Sequence, residues 1–401
     1  GGYEMKLSRK ILECPSSPIS KFDSKISEAV KKGKKIYRLN IGQPDIKTPK
    51  EFFEAVSNYE VDTLAYAPSP GISEYVESIQ GYFTRMGIEL KADEIVATAG
   101  GSEALLIALF TILEEGSELI IPEPFYPNYF TYTILSGAKI RGIKTSPENG
   151  YRYATKEQIE PLINENTRAI MISNPSNPTG IVLSDKEMEL LKDIAREHRL
   201  FLISDEVYRE FAYSDEPLKS MLSYSDIDEN LIVIDSVSKR FSACGARVGC
   251  LISRNMDFMT QAMKIAQTRL SVASVDQIGS AALYRLDPEY FNEIKSEYMK
   301  RRDLAIRKLD EIPGIVFGKP DGAFYIMAKL PVDNSEKLME FLLDRFEDNG
   351  ETVIFSPGTG FYEDVSQGKD EIRIAYVLNG TDLARALELL KLGIEAYNSR
   401  N

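Results

Sequence analysis

Residues 231–249, LIVIDSVSKRFSACGARVG, join a strand-like apolar run to a short loop that carries two cations. The run Leu231–Ile234 predicts a buried strand, and the loop after it delivers Lys239 and, eight positions later, Arg247. A lysine amine can lose its proton and form a Schiff base, whereas an arginine guanidinium stays charged and offers a planar fork suited to phosphate. The loop therefore predicts a site for a phosphorylated aldehyde, of which pyridoxal phosphate (PLP) is the common example in enzymes.

In spacing and residue type, the same loop closely resembles the lysine signature of the class I and II aminotransferases. The matching string begins at Ser236 and includes Lys239, Gly245, Arg247 and Gly249. Between about Arg38 and Tyr376, the other segments that resemble this family are Tyr66 with Gly71, Gly100-Gly101-Ser102, Asn177-Pro-Thr-Gly180, Asp205 with Tyr208, and Arg373 within EIRIAYV. The resemblance implies a PLP-dependent transferase of fold type I in the aspartate aminotransferase superfamily. That α/β fold has a large domain, with a mostly parallel sheet of the seven-stranded type covered by helices, and a smaller α/β domain.

Composition favours an ordinary globular protein. The chain has 401 residues, enough for a large domain and a smaller one, and it is 43% hydrophobic and 27% charged. Its longest apolar stretches, such as Ala104–Phe110, are shorter than the roughly 20 residues of a membrane span. No secretion signal is recognisable at the start of the sequence. The net charge of −13 disfavours nucleic acid or a membrane as the main partner, because phosphate groups attract basic surfaces.

Cysteine and histidine content narrows the possible chemistry. Cys14, Cys244 and Cys250 show no framework spacing, which predicts reduced thiols and a cytoplasmic location. His198 is the only histidine and lies near the end of a predicted helix, Ser184–Arg199. A Ser/His/Asp triad would have to use this residue, and a zinc site built on several histidines is excluded. We therefore expect no metal and chemistry that depends on an organic cofactor.

The middle of the chain alternates apolar strands with helices. Strands are predicted at Ala169–Ser173, Leu200–Ser204 and Leu231–Ile234, with the capped helix between the first two. Such alternation predicts a parallel sheet covered on both faces, whose ligands bind at the carboxyl ends of the strands. Asn177, Asp205 and Lys239 each lie just past such an end, so we expect them to share one site.

The two ends of the chain differ from this middle region. Within residues 6–38 we predict an extended arm interrupted by prolines and then a charged helix at Lys21–Lys32. After about residue 282 a long charged helix, Asp287–Ile312, begins a second α/β pattern. We therefore predict a large PLP-binding domain at 46–282 and a small domain formed by 1–45 together with 283–401.

PLP chemistry assigns a role to each residue of the predicted site. Lys239 would hold the cofactor as a Schiff base and then move the substrate Cα proton. Asp205 would keep the pyridine nitrogen protonated, while Asn177 and Tyr208 would hydrogen-bond the ring's phenolate oxygen. The residues predicted to bind the phosphate are Arg247, Ser236, Ser238, Gly101 and Ser102, with Glu103 beside them at the start of a helix.

The resemblance to the aminotransferases implies further contacts. By that similarity Arg373 binds the substrate α-carboxylate, Gly42 contributes an N–H group, and Tyr126 stacks on the cofactor ring. Tyr66 would reach the phosphate in the partner subunit. The implied assembly is therefore a homodimer with its sites at the subunit interface.

Substrate choice is open at this level. Recognition of an acidic side chain needs a second cation in this superfamily, and Arg269 is the candidate. An aspartate- or glutamate-like donor with 2-oxoglutarate is the preferred pair, with alanine-type and aromatic-type donors as alternatives. The same scaffold also supports lyases that eliminate β-substituents. A DNA-binding regulator is disfavoured, because only a short arm precedes Arg38 and the charge is acidic.

Overall fold

The computed structural model describes residues 4–216 and 218–400, in which strands and helices alternate along most of the chain. The strands are β1 Lys35–Arg38, β2 Ile95–Thr98, β3 Glu118–Pro122, β4 Lys139–Ile143, β5 Thr167–Ser173, β6 Phe201–Asp205, β7 Leu231–Ser236, β8 Gly249–Ile252, β9 Val316–Phe317, β10 Tyr325–Lys329, β11 Glu351–Ile354, β12 Ser356–Pro357 and β13 Glu371–Ala375. The helices are α1 Arg9–Glu13, α2 Asp23–Lys31, α3 Lys50–Ser57, α4 Ser73–Thr84, α5 Gly100–Ile112, α6 Pro127–Leu135, α7 Lys156–Ile159, α8 Asp185–Glu197, α9 Met256–Thr268, α10 Ser274–Tyr284, α11 Glu289–Asp310, α12 Ser335–Asp344 and α13 Gly380–Asn398.

The largest sheet has seven strands in the order β2-β8-β7-β6-β5-β3-β4. Its strands pair in parallel except for β8, which runs antiparallel to both β2 and β7. The loop 237–248 joins β7 to β8 without an α-helix, and the chain returns from the same edge of the sheet at which β7 ends. The prediction of an α/β fold with a mostly parallel seven-stranded sheet is confirmed.

Both faces of this sheet are buried, and successive side chains of each strand point to opposite faces. In β7, Ile232 and Ile234 contribute to one apolar cluster, and Val233 between them contributes to the other. The first cluster includes residues of α5 and α9, and the second includes residues of α4, α8 and α10. The near-continuous apolar strands therefore reflect helices packed on both sides.

A second group of elements is formed by the two ends of the chain. Strands β12, β13, β10 and β9 form an antiparallel sheet, and β1 pairs in parallel with β11. Phe22 and Tyr37 from the N-terminal region share an apolar cluster with Phe324, Ile372 and Leu387 from the C-terminal region. The domain limits 46–282, 1–45 and 283–401 stay predictions, and residues 1–3 and 401 lie outside the described residues.

Several element predictions need correction. The arm at 6–38 is not extended throughout, because it contains the helix α1. It ends in the strand β1, which pairs with β11. Asp205 is the last residue of β6 rather than the residue after it. In the part of the chain that the structure describes, no helix combines the length and the apolar character that crossing a bilayer demands.

Two helical glycines give a matched test of the packing. A Cβ atom at Gly279 of α10 would lie 2.5–2.8 Å from ring atoms of Phe52 in α3, whereas one at Gly81 of α4 would meet nothing within 4 Å. We predict that Gly279→Ala lowers the free energy of unfolding by about 1–3 kcal/mol through overpacking. Gly81→Ala should raise it by about 0.5–1 kcal/mol, because alanine is the better helix former. Urea denaturation of both variants measures the difference, and equal shifts would contradict the α3–α10 packing.

Candidate active site

The carboxyl ends of β5, β6 and β7 open into a cavity of about 410 Å³. Most of the predicted site residues line it: Gly42, Gly101, Ser102, Tyr126, Asn177, Asp205, Tyr208, Ser236, Ser238, Lys239, Arg247 and Arg373. Because parallel strands bring their carboxyl ends to one edge of the sheet, residues far apart in sequence meet here.

Lys239 is held at one wall of the cavity by loop contacts. Its Nζ donates a 2.5 Å hydrogen bond to the carbonyl oxygen of Gly42. The Thr48 hydroxyl donates to the carbonyl of Ser242, which ties loop 39–49 to the loop that carries the lysine. The partner of the amine is a neutral carbonyl, so no carboxylate has to be displaced before the amine reacts.

Asp205 is a buried carboxylate with neutral hydrogen-bond partners. Tyr129 donates its hydroxyl to Oδ2 at 2.5 Å, and the N–H of Val207 donates to Oδ1 at 3.3 Å. Burial raises the pKa of Asp205 from its ordinary 3.8 to about 6, although both hydrogen bonds oppose the shift. The site therefore holds a carboxyl group that a nearby positive charge would keep ionised.

Arg373, on β13, also lines the cavity. Nη1 donates to Oδ1 of Asn177 and Nη2 to the carbonyl of Asn40, both at 3.0 Å. The guanidinium carbon lies 4.4 Å from the ring centre of Tyr325. Its Nε is buried and has no hydrogen-bond partner among the described residues. A buried, unsatisfied donor of this kind suits a carboxylate ligand.

Several hydrogen-bond donors and one cation line another part of the cavity. Gly101 and Ser102 lie in the first turn of α5, whose N-terminus carries partial positive charge. The hydroxyl of Ser236 lies 2.9 Å from that of Ser238. A Cβ at Gly100 would lie 2.6 Å from Nη2 of Arg247, so only glycine allows this close approach. The set is suited to a phosphate group.

Comparison with known proteins shows the family of the chain. The family model for aminotransferase class I and II matches residues 34–390. The chain belongs to this family. It is 31% identical to an aspartate aminotransferase of Pyrococcus horikoshii over 93% of this chain and 95% of that protein.

Two solved structures of aminotransferases are similar to it as well. The aspartate aminotransferase of Thermotoga maritima superposes with a TM-score of 0.88 at 28% identity, over 98% of this chain and all of that one. The alanine aminotransferase of Pyrococcus furiosus gives the same TM-score, identity and coverage. The lyase alternative is therefore not favoured.

Class I and II aminotransferases depend on PLP, and the cavity of this aminotransferase fits that cofactor. The donors around α5 and Arg247 match its phosphate. Asp205, whose partners are neutral, matches a protonated ring nitrogen that would supply the missing positive charge. Lys239 lines the same cavity, and its amine matches the aldehyde carbon.

Some cavity residues of the aminotransferase were not predicted to have a role. Tyr129 hydrogen-bonds Asp205, and Tyr325 shares a 2.6 Å hydrogen bond with Tyr208 and packs against Arg373. Burial, followed by the contact with Tyr325, raises the pKa of Tyr208 well above its ordinary value. Tyr129 belongs to an aromatic run that the sequence displays, but Tyr325 lies in an ordinary apolar strand and carries no local signal.

Three predicted site residues lie elsewhere. Arg269 does not line the cavity: its Nε donates to Glu103 at 2.9 Å, and its other donors bind the carbonyls of Ser69, Ala97 and Ala266. Glu103 is engaged by this ion pair and by the N–H of Ala99, and it does not line the cavity. The pair instead anchors the first turn of α5. Tyr66 is 81% exposed and lies outside the cavity of its own chain.

The raised pKa of Asp205 has a consequence for stability in the cofactor-free protein. Because the folded pKa, about 6, exceeds the ordinary 3.8, the folded state binds the proton more tightly. Stability from this group is therefore lost as pH rises from about 4 to 6 and stays lost above that range. We predict that Asp205→Asn gains about 2 kcal/mol more relative to wild type at pH 7.5 than at pH 4.5.

Chemical denaturation of cofactor-free protein at the two pH values measures this difference. Tyr129→Phe is the matched control, because it removes a hydrogen bond that lowers the pKa of Asp205 and should extend the loss of stability to higher pH. Equal gains for Asp205→Asn at both pH values would contradict the raised pKa.

Proposed function

We propose that this enzyme moves the amino group of an acidic amino acid, aspartate or glutamate, to a 2-oxo acid such as 2-oxoglutarate. The observation that carries the proposal is that Lys239, Asp205 and Arg373 line one cavity of about 410 Å³. The relative from Pyrococcus horikoshii and the solved structure from Thermotoga maritima are both aspartate aminotransferases, which supports an acidic donor.

The cofactor end of the site would work through Lys239, Asp205 and the phosphate-binding donors. PLP, when bound, supplies an electron sink for charge that develops at the substrate Cα. Lys239 would join the cofactor and, once released, its amine would take the proton from Cα. Asp205 would hold a negative charge against the ring nitrogen, and Arg247 with the hydroxyls of Ser236 and Ser238 would bind the phosphate.

The substrate end would be formed around Arg373. Its guanidinium fork would bind the α-carboxylate, with the N–H of Gly42 as a further donor. Oδ1 of Asn177 already accepts from Arg373, so its amide N–H group would be left to donate to the phenolate oxygen of the cofactor, together with Tyr208. Tyr126, which also lines the cavity, would lie on the face of the ring.

A second hollow next to Arg373 is where the substrate side chain would lie. This hollow measures about 320 Å³, and its lining includes Ser16, Asn128 and Thr131. Hydroxyl and amide groups can hydrogen-bond a side-chain carboxylate, and a site built to do so rejects analogues that lack it. The acidic donor is thus proposed without a role for Arg269.

We also propose a homodimer located in the cytoplasm. The exposed apolar side chains Val61, Leu64, Tyr66 and Leu270 belong to neighbouring segments, since the Ser69 hydroxyl donates to the carbonyl of Leu270. An apolar surface of this kind favours a covering partner. In that assembly Tyr66 would reach the phosphate of the other subunit. The three cysteines are free thiols, which suits a reducing compartment.

The visible absorption of the purified protein tests the reaction. We predict a cofactor band that Lys239→Ala abolishes, because the lysine amine is the point of attachment. Addition of aspartate or glutamate without an oxo acid should convert the band to that of the aminated cofactor, and 2-oxoglutarate should restore it. Alanine and phenylalanine serve as control donors. Conversion by these two alone would overturn the acidic preference, and absence of a band from wild-type protein would overturn the site.

Mixed dimers test whether Tyr66 crosses the interface. Neither Lys239→Ala nor Tyr66→Ala homodimers should be fully active. When the two variants are mixed and re-associated, the Tyr66→Ala subunit supplies Lys239 and its partner supplies Tyr66, which creates one complete site per hybrid. We predict that activity rises above the sum of the separate variants. A mixture that shows only this sum would exclude a shared site.

A further inference from the structure

Four charged side chains form a buried network beside the cavity. Glu206, Arg209, Asp235 and Arg240 are all nearly or completely inaccessible to solvent. Nη2 of Arg240 donates to Oδ2 of Asp235 at 2.5 Å, and Nη1 of Arg209 lies 3.5 Å from the same oxygen. Nε and Nη2 of Arg209 both donate to Oε1 of Glu206, at 3.1 and 3.0 Å. Two cations and two anions thus form a continuous chain, which we call the ion-pair network.

Each member of the ion-pair network is adjacent in sequence to a residue of the cavity. The adjacent pairs are Asp205 and Glu206, Tyr208 and Arg209, Asp235 and Ser236, and Lys239 and Arg240. In every pair one residue lines the cavity, while the other belongs to the network. The network therefore joins the segment after β6, which carries Asp205 and Tyr208, to the end of β7 and the loop that carries Lys239.

Stability alone is a weak reason for this arrangement. Buried ion pairs often contribute no more than well-packed apolar side chains of the same volume, because each charge loses its hydration. Hydrogen bonding here is also incomplete: Oδ1 of Asp235 and both Nε and Nη1 of Arg240 have no partner among the described residues. The arginine instead packs between aromatic rings, with its guanidinium carbon 4.9 Å from the ring centre of Tyr82 and 5.3 Å from that of Tyr284.

We propose that the ion-pair network positions Lys239 relative to Asp205. Arg240 follows the reactive lysine directly, and its ion pair with Asp235 fixes the start of the loop against β7. Arg209 links that carboxylate to Glu206, whose Oε2 accepts hydrogen bonds from Ser204 and from the N–H of Met221. The amine and the carboxylate that act on the two ends of the cofactor are thereby held by one rigid unit. This inference rests on the proposed roles of Lys239 and Asp205.

Two variants separate positioning from stability. Asp235→Asn/Arg240→Met removes one cation and one anion, so the remaining Arg209 and Glu206 stay balanced and the protein is expected to fold. Arg240→Lys keeps the charge and loses the planar fork. We expect kcat to fall about a hundredfold in the double variant and about tenfold in Arg240→Lys, because small displacements of catalytic groups are costly. KM for both substrates should change by less than about twofold, since Arg373 lies on a different sheet.

A second readout does not depend on turnover. Borohydride reduction after timed mixing with PLP, followed by peptide mass analysis, measures how fast Lys239 becomes attached. Attachment should be slowest in the double variant and intermediate in Arg240→Lys. Arg302→Met is the matched control: this arginine is also buried, but it donates to the carbonyl of Pro320 and to Asp303, away from the cavity. It should lower the melting temperature and leave kcat and the attachment rate unchanged.

The possible results of these measurements separate a positioning role of the ion-pair network from a purely structural one. A graded loss of kcat and of attachment rate in folded variants, with KM unchanged, supports positioning. Wild-type kcat and attachment in Arg240→Lys, or an equal loss in Arg302→Met, would overturn it. If wild-type protein itself fails to show a cofactor band, the proposed function is at fault rather than the network.

Discussion

Parallel hydrogen bonding between β5, β6 and β7 is the constraint on which the site depends. Ser173 is in register with Asp205, and Asp205 is in register with Ile234, so the three strands end at nearly the same level. The loops that follow must start from one edge of the sheet, and their polar residues share one cavity. Strand β8 then returns antiparallel to β7, with Gly249 opposite Ser236, so the loop that carries Lys239 begins and ends at the same edge.

Charge is distributed very differently in the cavity and beside it. Within the cavity, Asp205 has neutral partners and a raised pKa, and Arg373 has an unsatisfied Nε, so both retain binding capacity for ligands of opposite charge. In the ion-pair network the cations and anions pair with each other. At the end of β7, successive side chains point to opposite faces, so Asp235 joins the network while Ser236 lines the cavity.

The part of the cavity around Arg373 is formed by elements that are distant in sequence. Arg373 is paired in register with Met327 on one side and Ser356 on the other, and its donors reach Asn40 and Asn177. Tyr325 packs beneath it and hydrogen-bonds Tyr208 of the large-sheet region. A shift between the two sheets would therefore alter the surroundings of Arg373 and of Tyr208 together.

The α/β class, the residue types of the site and the positions of Asn177, Asp205 and Lys239 at strand ends could all be predicted from the sequence. Period, capping and strand-to-loop order are local properties, and they leave a readable pattern. Which charged side chains pair with one another, and which stay available in the cavity, could be seen only once distant segments were packed together. Arg269 was expected to recognise substrate but pairs with Glu103, while Arg240, next to the lysine, is committed to Asp235. The contacts of Tyr325 with Arg373 and Tyr208 likewise become visible only in the folded structure. A polar side chain pairs with whatever groups the packing of the sheets brings within hydrogen-bonding distance, and those groups are often distant in sequence.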